Sequence, residues 1–258
     1  MYTFPDVSLL ITHYNRIESL ENLLASFKRL SCSFGEVVVS DDGSKTEHLT
    51  KLKSLSRLFD FKLISAVRNM GLGNNINKGQ DQVTKTYTLY IQEDFEPTSD
   101  FPEKFAKALA FMHADEKLDI VKFYAYYPYP YLKSFSADYD EMYVKDFGFK
   151  YDKIYFYTDH PHLRRSSFFE KFGRYPEGIK GDVTDYKMCI SFLQNKGKGV
   201  FYKQYDKLFL QKNSLEEPST MTRSNWKHRQ FFLIAAVRYV YRQIKYNYDI
   251  LFAKPLKK

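Results

Sequence analysis

The stretch VSLLITHYNR at residues 7–16, together with EVVVSDDGS at residues 36–44, decides the fold. Each begins with a short, continuous apolar run, which is typical of a strand buried on both faces of a parallel sheet. In each stretch, polar residues follow the apolar run directly. Because the carboxyl ends of parallel strands meet at one edge of a sheet and ligands bind there, we expect both polar clusters to face one site.

Apolar runs and helical segments alternate beyond these two strands. Further apolar runs occur at residues 61–65, 86–92 and 120–123, and segments with apolar residues at helical spacing separate them. This alternation, with short connections, predicts an α/β fold in which helices flank a Rossmann-like, mostly parallel central sheet. Polar clusters also follow the third and fourth strands, at residues 68–73 and 93–94. Four clusters at four consecutive strand ends predict a ligand site more strongly than any one of them.

The pattern changes after residue 123. Residues 124–157 are rich in aromatic side chains and contain prolines, which predicts loops and irregular strands. Apolar spacing predicts helices at residues 165–172 and 183–194, followed by a short strand at residues 200–203. A basic, aromatic helix is predicted at residues 225–246.

The positive charge of the chain is concentrated near its C-terminus. The formal net charge is +8, yet residues 224–258 carry eight basic side chains and one acidic side chain, Asp249, so the rest of the chain is almost neutral. A nucleic-acid-binding protein would more commonly be basic across its folded body, which argues against that class. The basic helix either packs on the folded body or in a homodimer, or lies on an anionic membrane surface.

Cysteine content and apolar runs bear on the compartment. Two cysteines, Cys32 and Cys189, cannot build a disulfide framework, which favours a reducing compartment. The first six residues lack the features of a signal peptide, and no strongly apolar run in the tail approaches the ~20 residues that span a bilayer. We therefore expect a cytoplasmic protein, either soluble or peripheral on the inner face of the cell membrane.

Two common phosphate-binding motifs are missing from the sequence. No glycine precedes Gly35, so the first strand is not followed by G-x-G-x-x-G, and a G-x-x-x-x-G-K-[ST] motif does not occur. Both a nicotinamide enzyme and a nucleotidyltransferase are therefore disfavoured. The charge of any phosphates bound at the strand ends would have to be neutralised by a metal ion that the acidic side chains at these strand ends hold.

Four segments, in this order and spacing, resemble the family 2 glycosyltransferases of the GT-A fold. They are residues 7–16 and 36–44, RNMGLGNNINKG at residues 68–79, and YIQEDF at residues 90–95. The resemblance implies an inverting glycosyltransferase that moves a sugar from a nucleotide-sugar donor, expected to be a UDP-sugar. The implied acceptor is a hydroxyl of a glycan or of a lipid-linked molecule, as in bacterial surface polysaccharide synthesis.

The resemblance, the change of pattern after residue 123 and the basic charge of the tail together predict a division of the chain. Residues 1–223 would form the catalytic domain, with a nucleotide-sugar-binding half at residues 1–123 and an acceptor-binding half at residues 124–223. Residues 224–258 would be a basic, amphipathic helical extension. Similarity to the family continues more faintly into the second half, through residues 163–199.

Nine residues take nucleotide-binding roles from the resemblance. Thr12, Tyr14 and Asn15 would flank the base and ribose, and Asp42, with Asp41 beside it, would accept the base N–H. Arg68 would stand in for a phosphate-side arginine of many relatives. The loop that contains Asn69, Gly71 and Gly73 would cover the nucleotide.

Acidic residues take the metal-binding and catalytic roles. Asp94, with Glu93 beside it, would hold Mg²⁺ or Mn²⁺, since both ions prefer oxygen ligands. Relatives usually carry D-x-D or D-D where this chain has Gln92-Glu93-Asp94. Asp185, or Asp182 as second choice, would be the base that deprotonates the acceptor hydroxyl.

One competing interpretation keeps the fold but not the activity. Because the acidic motif is atypical, the chain could instead be a catalytically inactive GT-A-like module that binds a nucleotide or a glycan.

The segment Asp159-His160-Pro161-His162 has metal-like spacing, but two histidines around a proline are more commonly a loop, which could border the acceptor.

Overall fold

A nine-stranded sheet forms the centre of the part of the chain that the computed structural model describes, namely residues 1–144, 151–212 and 232–258. The side chains of residues 232–235 are not described. The predicted boundary between residues 223 and 224, and the first residues of the predicted C-terminal helix, lie outside the described residues.

Strands and helices alternate through the first half of the chain. The strands are Tyr2–His13 (β1), Cys32–Asp41 (β2), Lys62–Ser65 (β3), Tyr87–Gln92 (β4), Phe95–Pro97 (β5), Ile120–Lys122 (β6), Leu132–Ser134 (β7), Tyr139–Met142 (β8), His162–Arg165 (β9), Gly199–Tyr202 (β10) and Phe209–Gln211 (β11). The helices are Ile17–Arg29 (α1), Thr46–Phe59 (α2), Leu72–Gln80 (α3), Phe101–Ala114 (α4), Phe168–Phe172 (α5), Gly181–Gln194 (α6) and Phe232–Phe252 (α7), with a 3₁₀ helix at Tyr151–Tyr155.

The strand order in the main sheet is β3-β2-β1-β4-β9-β6-β10-β8-β7. β1 pairs in parallel with both β2 and β4, and β2 pairs in parallel with β3. β9 lies antiparallel between β4 and β6, which leaves those two strands parallel to each other. β5 and β11 form a separate antiparallel pair. The predicted α/β fold with a mostly parallel central sheet is confirmed.

Burial on both faces explains the continuous apolar run of β1. Leu9 and Ile11 point into a core shared with α1, α2 and α4. Leu10, between them, points into the opposite core with residues of α3, α5 and α6. Successive side chains of a strand face opposite sides of the sheet, so a strand covered by helices on both faces must be apolar at every position.

The prediction of a helix at residues 165–172 is wrong for its first residues. Arg165 ends β9, and only Phe168–Phe172 is helical. The strand contains Arg164, fully buried, whose guanidinium donates to Gln80 Oε1 at 2.7 Å and to the hydroxyl of Tyr175 at 3.2 Å. A charged residue inside a strand conceals the apolar pattern on which the sequence prediction depends.

Helix α7 packs on the 3₁₀ helix and on α6. Tyr186 of α6 donates to Asp249 Oδ2 at 2.6 Å, and Gln194 Nε2 donates to the carbonyl oxygen of Ala253 at 2.9 Å. Apolar side chains such as Val237 and Leu251, about 70% exposed, lie on the outer face. None of the described helices is long and apolar enough to cross a bilayer. Membrane-surface contact and dimerisation through this helix stay predictions.

Candidate active site

A cleft of about 610 Å³ opens at the carboxyl ends of β1, β2 and β4. Its volume lies within the range of ligand pockets. Nine of the thirteen predicted site residues line it: Thr12, Tyr14, Asp42, Asn69, Gly71, Glu93, Asp94, Asp182 and Asp185. The parallel register brings these side chains together from segments far apart in sequence. The other four, namely Asn15, Asp41, Arg68 and Gly73, are not among the lining residues.

Asp41 is buried beneath the cleft. Its carboxylate contacts His13 Nδ1 at 2.9 Å and accepts the hydroxyl of Ser44 at 2.5 Å. Burial alone would raise the pKa of Asp41, but these hydrogen bonds hold the pKa below its ordinary value. His13 Nε2 in turn accepts the backbone N–H of Arg16 at 3.1 Å. Asp41 therefore fixes the loops that follow β1 and β2.

Asn15 joins the same two loops. Its backbone N–H donates to the hydroxyl of Ser44 at 2.8 Å, and its Oδ1 accepts the backbone N–H of Lys45 at 2.9 Å. Its φ of 57° lies in the left-handed region, which asparagine tolerates better than most residues. Asn15 thus positions the loops around the cleft.

Asp42 shapes the loop that borders the cleft. Its two carboxylate oxygens accept the backbone N–H groups of Met70 at 2.8 Å and Gly71 at 3.0 Å. Gly71 has a φ of +86° and precedes α3, so the loop turns through a conformation that favours glycine. The pKa of Asp42 is raised, mainly by burial. Asp42 therefore holds the loop while also lining the cleft.

Arg68 and Gly73 lie beside the cleft rather than in its lining. Arg68 is exposed, and its backbone packs on Gly43, where an added Cβ would lie 2.3 Å from the carbonyl carbon of Arg68. A Cβ on Gly73 would lie 2.3 Å from the carbonyl oxygen of Pro176. Gly73 therefore lets α3 approach that backbone.

Glu93 and Asp94 face the cleft beside a buried arginine. Arg16 Nη1 lies 3.3 Å from Asp94 Oδ2 and 4.0 Å from Glu93 Oε1. Gln211 Nε2 also donates to Asp94 Oδ2, at 2.9 Å. Burial, followed by the charge of Asp94, raises the pKa of Glu93 to about 8. The arginine and glutamine thus orient an acidic pair that is largely withdrawn from water.

The donor set of this pair suits a hard divalent cation. Within the described residues, no three or more His, Cys, Asp or Glu side chains gather as a metal cage. Mg²⁺, however, is commonly bound by one or two carboxylates plus the phosphates of a substrate. Two neighbouring carboxylates in a cleft match that arrangement.

A second acidic pair lies across the cleft. Asp185 is in the first turns of α6, and its Oδ1 is buried without a hydrogen-bond partner among the described residues. Asp159 accepts a hydrogen bond from Gln92 Nε2 at 2.8 Å. Burial, and then the charge of Asp159, raises the pKa of Asp185 well above its ordinary value. Asp185 is half-buried at the edge of the cleft, and a carboxylate there with a free oxygen can accept a proton from a ligand.

Lys122 is a basic side chain that lines the cleft together with Asp159 and Asp185 and interacts electrostatically with both. It ends β6, is fully buried, and donates to the carbonyl oxygen of Tyr155 at 2.9 Å. Burial lowers its pKa to about 8, although the charges of Asp185 and Asp159 act in the opposite direction. Its charge therefore balances part of the acidic pair.

Several lining residues were given no role by the sequence interpretation. They include Arg16, Gln92, Lys122, Tyr126, Tyr127 and Tyr129, and Asp159 was considered only as part of a loop that could border the acceptor. Lys122 could have been identified from the sequence as a candidate site residue, because it is a charged residue at the end of the otherwise apolar strand Ile120–Lys122. Asp159 lies in the segment with metal-like spacing. The pKa values of its neighbours His160 and His162 are lowered mainly by burial, and their rings contact the hydroxyl of Thr158 and the carbonyl oxygen of His160, respectively.

The fold and the acid-lined cleft define a GT-A protein, and solved structures share this fold. TarS of S. aureus, residues 1–349 in complex with UDP-GlcNAc, matches with a TM-score of 0.57 and 18% identity over 85% of this chain and 62% of that one. Mannosyltransferase PcManGT from Pyrobaculum calidifontis, in complex with GDP-Man and Mn²⁺, matches with a TM-score of 0.56 and 14% identity over 98% and 67% of the two chains.

The family model described as Glycosyl transferase family 2 matches residues 8–173, which is more than half of the chain, and the chain therefore belongs to this family. A curated relative is the poly-beta-1,6-N-acetyl-D-glucosamine synthase of Staphylococcus epidermidis, 26% identical over 96 residues. That match covers 37% of this chain and 23% of the relative, so the chain spans less than a quarter of that protein.

Replacing Asp185 by asparagine is expected to stabilise the fold at neutral and alkaline pH. A raised pKa means that the folded state keeps a proton that the unfolded chain loses above its ordinary pKa of 3.8, so folding becomes less favourable as the pH rises. The variant avoids this loss. Its Tm should match that of the wild type near pH 4 and exceed it increasingly towards pH 8, by about 2–4 °C for each kcal/mol recovered.

The control for this measurement is Asp182→Asn. Asp182 is exposed and lies in the same part of α6. Differential scanning calorimetry should show no gain in Tm towards pH 8 for this variant. A lower Tm of Asp185→Asn at every pH would contradict the account of a carboxyl group whose Oδ1 has no hydrogen-bond partner among the described residues.

Proposed function

We propose that the protein is an inverting glycosyltransferase that uses a nucleotide-sugar donor, a UDP-sugar, and transfers the sugar to a hydroxyl of a glycan or a lipid-linked acceptor. The observation that carries this proposal is the presence in one cleft of the Glu93–Asp94 pair and of Asp185 with its unpartnered oxygen. The Glu93–Asp94 pair is suited to bind a diphosphate together with its cation, and Asp185 is suited to act as a base.

The charge of the cleft supports a metal-dependent donor site. Apart from two histidines, its described lining carries six carboxylates and two basic side chains, Arg16 and Lys122. A diphosphate would be repelled by such a surface unless a cation accompanied it. Glu93 and Asp94 would hold Mg²⁺ or Mn²⁺, which would supply charge neutralisation on the departing diphosphate.

The remaining donor contacts would come from the loops after β1, β2 and β3. Thr12, whose hydroxyl is 3.1 Å from that of Tyr90, and Tyr14 would flank the nucleoside. Asp42 would present the loop that contains Gly71 and, with its remaining lone pairs, would accept the N–H of the base. Arg16 would keep Asp94 oriented towards the diphosphate.

Asp185 would act as the base in a single displacement. The acceptor oxygen bonds to the anomeric carbon, and the bond from that carbon to the diphosphate oxygen breaks. The electron pair leaves with the nucleoside diphosphate, and the proton of the hydroxyl passes to the carboxylate of Asp185. Attack from the face opposite the leaving group inverts the anomeric configuration. A raised pKa makes the ionised carboxylate a stronger proton acceptor than a solvated one.

The relatives suggest which compounds to test first. UDP-GlcNAc is bound in the TarS structure, and the curated relative makes a polymer of N-acetylglucosamine. UDP-GlcNAc is therefore the first donor, with GDP-Man, which is bound in PcManGT, as the comparison. Oligosaccharides of N-acetylglucosamine are the first acceptors for this proposed role in polysaccharide synthesis.

Asp94→Asn is expected to abolish metal-dependent nucleotide binding. In the wild type, UDP with Mn²⁺ should raise the Tm more than UDP or Mn²⁺ alone, because Glu93 and Asp94 would hold the ion and its charge would offset that of the diphosphate. The asparagine can keep the hydrogen bond from Gln211 but loses the charge. Glu96→Gln is the matched control, since Glu96 pairs at 3.8 Å with Lys212 outside the cleft lining. An undiminished shift in Asp94→Asn would remove the metal assignment.

Asp185→Asn is expected to leave the Kd for UDP-GlcNAc unchanged and to slow sugar transfer by about 10²–10⁴-fold, the usual contribution of a general base. Single-turnover assays with radiolabelled donor would measure the rate, and calorimetry would measure binding. Asp182→Asn decides between the two candidate carboxylates. If transfer survives in Asp185→Asn and is lost in Asp182→Asn, the base is Asp182 and our assignment is wrong.

A further inference from the structure

A second cavity, of about 680 Å³, lies between the 3₁₀ helix, α6 and α7. It shares four lining residues with the first cleft: Tyr155, Thr158, Asp182 and Asp185. The two cavities therefore meet at the carboxylate that we propose as the base. A molecule lying in the second cavity would have one end at Asp185 and the rest of its length against the C-terminal helix.

The wall of this second cavity combines aromatic faces with fixed polar groups. Tyr186 and Tyr246 contact each other with ring centroids 5.0 Å apart, and Tyr241 lines the same cavity from α7. Lys245 Nζ lies 2.5 Å from Asp249 Oδ2 and 4.7 Å from the centroid of the Tyr186 ring. These hydrogen bonds and ring contacts hold the polar groups in place before any ligand binds.

This chemistry matches a chain of sugars better than a lipid chain. A sugar ring has apolar C–H faces that can lie on a tyrosine and hydroxyls at its edge that need donors and acceptors. Asp249 supplies acceptor oxygens, Lys245 supplies donors, and Gln194 supplies both. A hydrocarbon chain would leave these polar groups desolvated and without new partners, which is unfavourable.

We propose that the second cavity is the acceptor channel, which receives the preceding sugar units of a glycan while its terminal hydroxyl reaches Asp185. This inference rests on the proposed function. The C-terminal helix α7 then serves as one wall of the channel, and Tyr241 is a residue that determines how strongly longer acceptors bind. A monosaccharide would occupy only the junction, so affinity should increase with the number of sugar units.

The test compares Tyr241→Ala with a matched control on the same helix, Tyr248→Ala. The two tyrosines are 59% and 60% exposed, but only Tyr241 lines the channel. The probes are oligosaccharides of one to five units of glucose, N-acetylglucosamine or mannose. Binding is measured by saturation-transfer NMR and calorimetry on the full chain, and hydrolysis of UDP-GlcNAc is measured in parallel.

We expect the wild type and Tyr248→Ala to bind one of these series more tightly as its length increases. Tyr241→Ala should lose about 3- to 10-fold in affinity for the longer members and less for the monosaccharide, while Tyr248→Ala keeps the wild-type affinities and donor hydrolysis. Binding that is independent of length, or equal in the two variants, would overturn the channel.

Failure of the channel and failure of the proposed function give different results. An enzyme that hydrolyses the donor but binds none of the oligosaccharides has a donor site and no glycan channel, which contradicts the inference. Length-dependent oligosaccharide binding that Tyr241→Ala weakens, without any donor hydrolysis or nucleotide binding, would support the channel as a glycan site and remove the transferase proposal.

Discussion

The register of β1 between its two parallel neighbours is the constraint on which the site depends. Thr12 lies opposite Ser40 of β2 and Gln92 of β4, and His13 lies opposite Asp41. The three strands therefore end at the same level, and the polar residues after each of them reach one cleft. A slip of one residue would turn every side chain of β1 to the other face, so the apolar packing on both faces also fixes the chemistry.

The sequence predicted the parallel half of the fold because its strands are continuous apolar runs with polar ends. It missed β9, and started the following helix at Arg165, because the buried Arg164 interrupts the apolar pattern that identifies a strand. Within the site, acids directly after strands could be found from their positions. The pairing of Arg16 with Asp94 could not, because it depends on how the loop after β1 folds back. Asp159 comes from a loop without a strand-end signal.

The cleft is rich in acidic side chains, whereas the C-terminal residues 224–258 are rich in basic ones. Several of the carboxylates in the cleft are buried. Buried acids without full hydrogen bonding reduce stability, so their presence in a cleft rather than in the core is consistent with a functional site. The helix α7 connects the two regions, since it packs on α6, the helix that carries Asp185.

The anomeric configuration of the first product is the measurement that tests the central claim most directly. An α-configured donor such as UDP-GlcNAc, followed by proton NMR before the free sugar equilibrates, should give a β-linked product or, by reaction with water, β-N-acetylglucosamine. That result is required if Asp185 activates a hydroxyl on the face opposite the diphosphate. Formation of the α product would contradict the single displacement and the role of Asp185 in it.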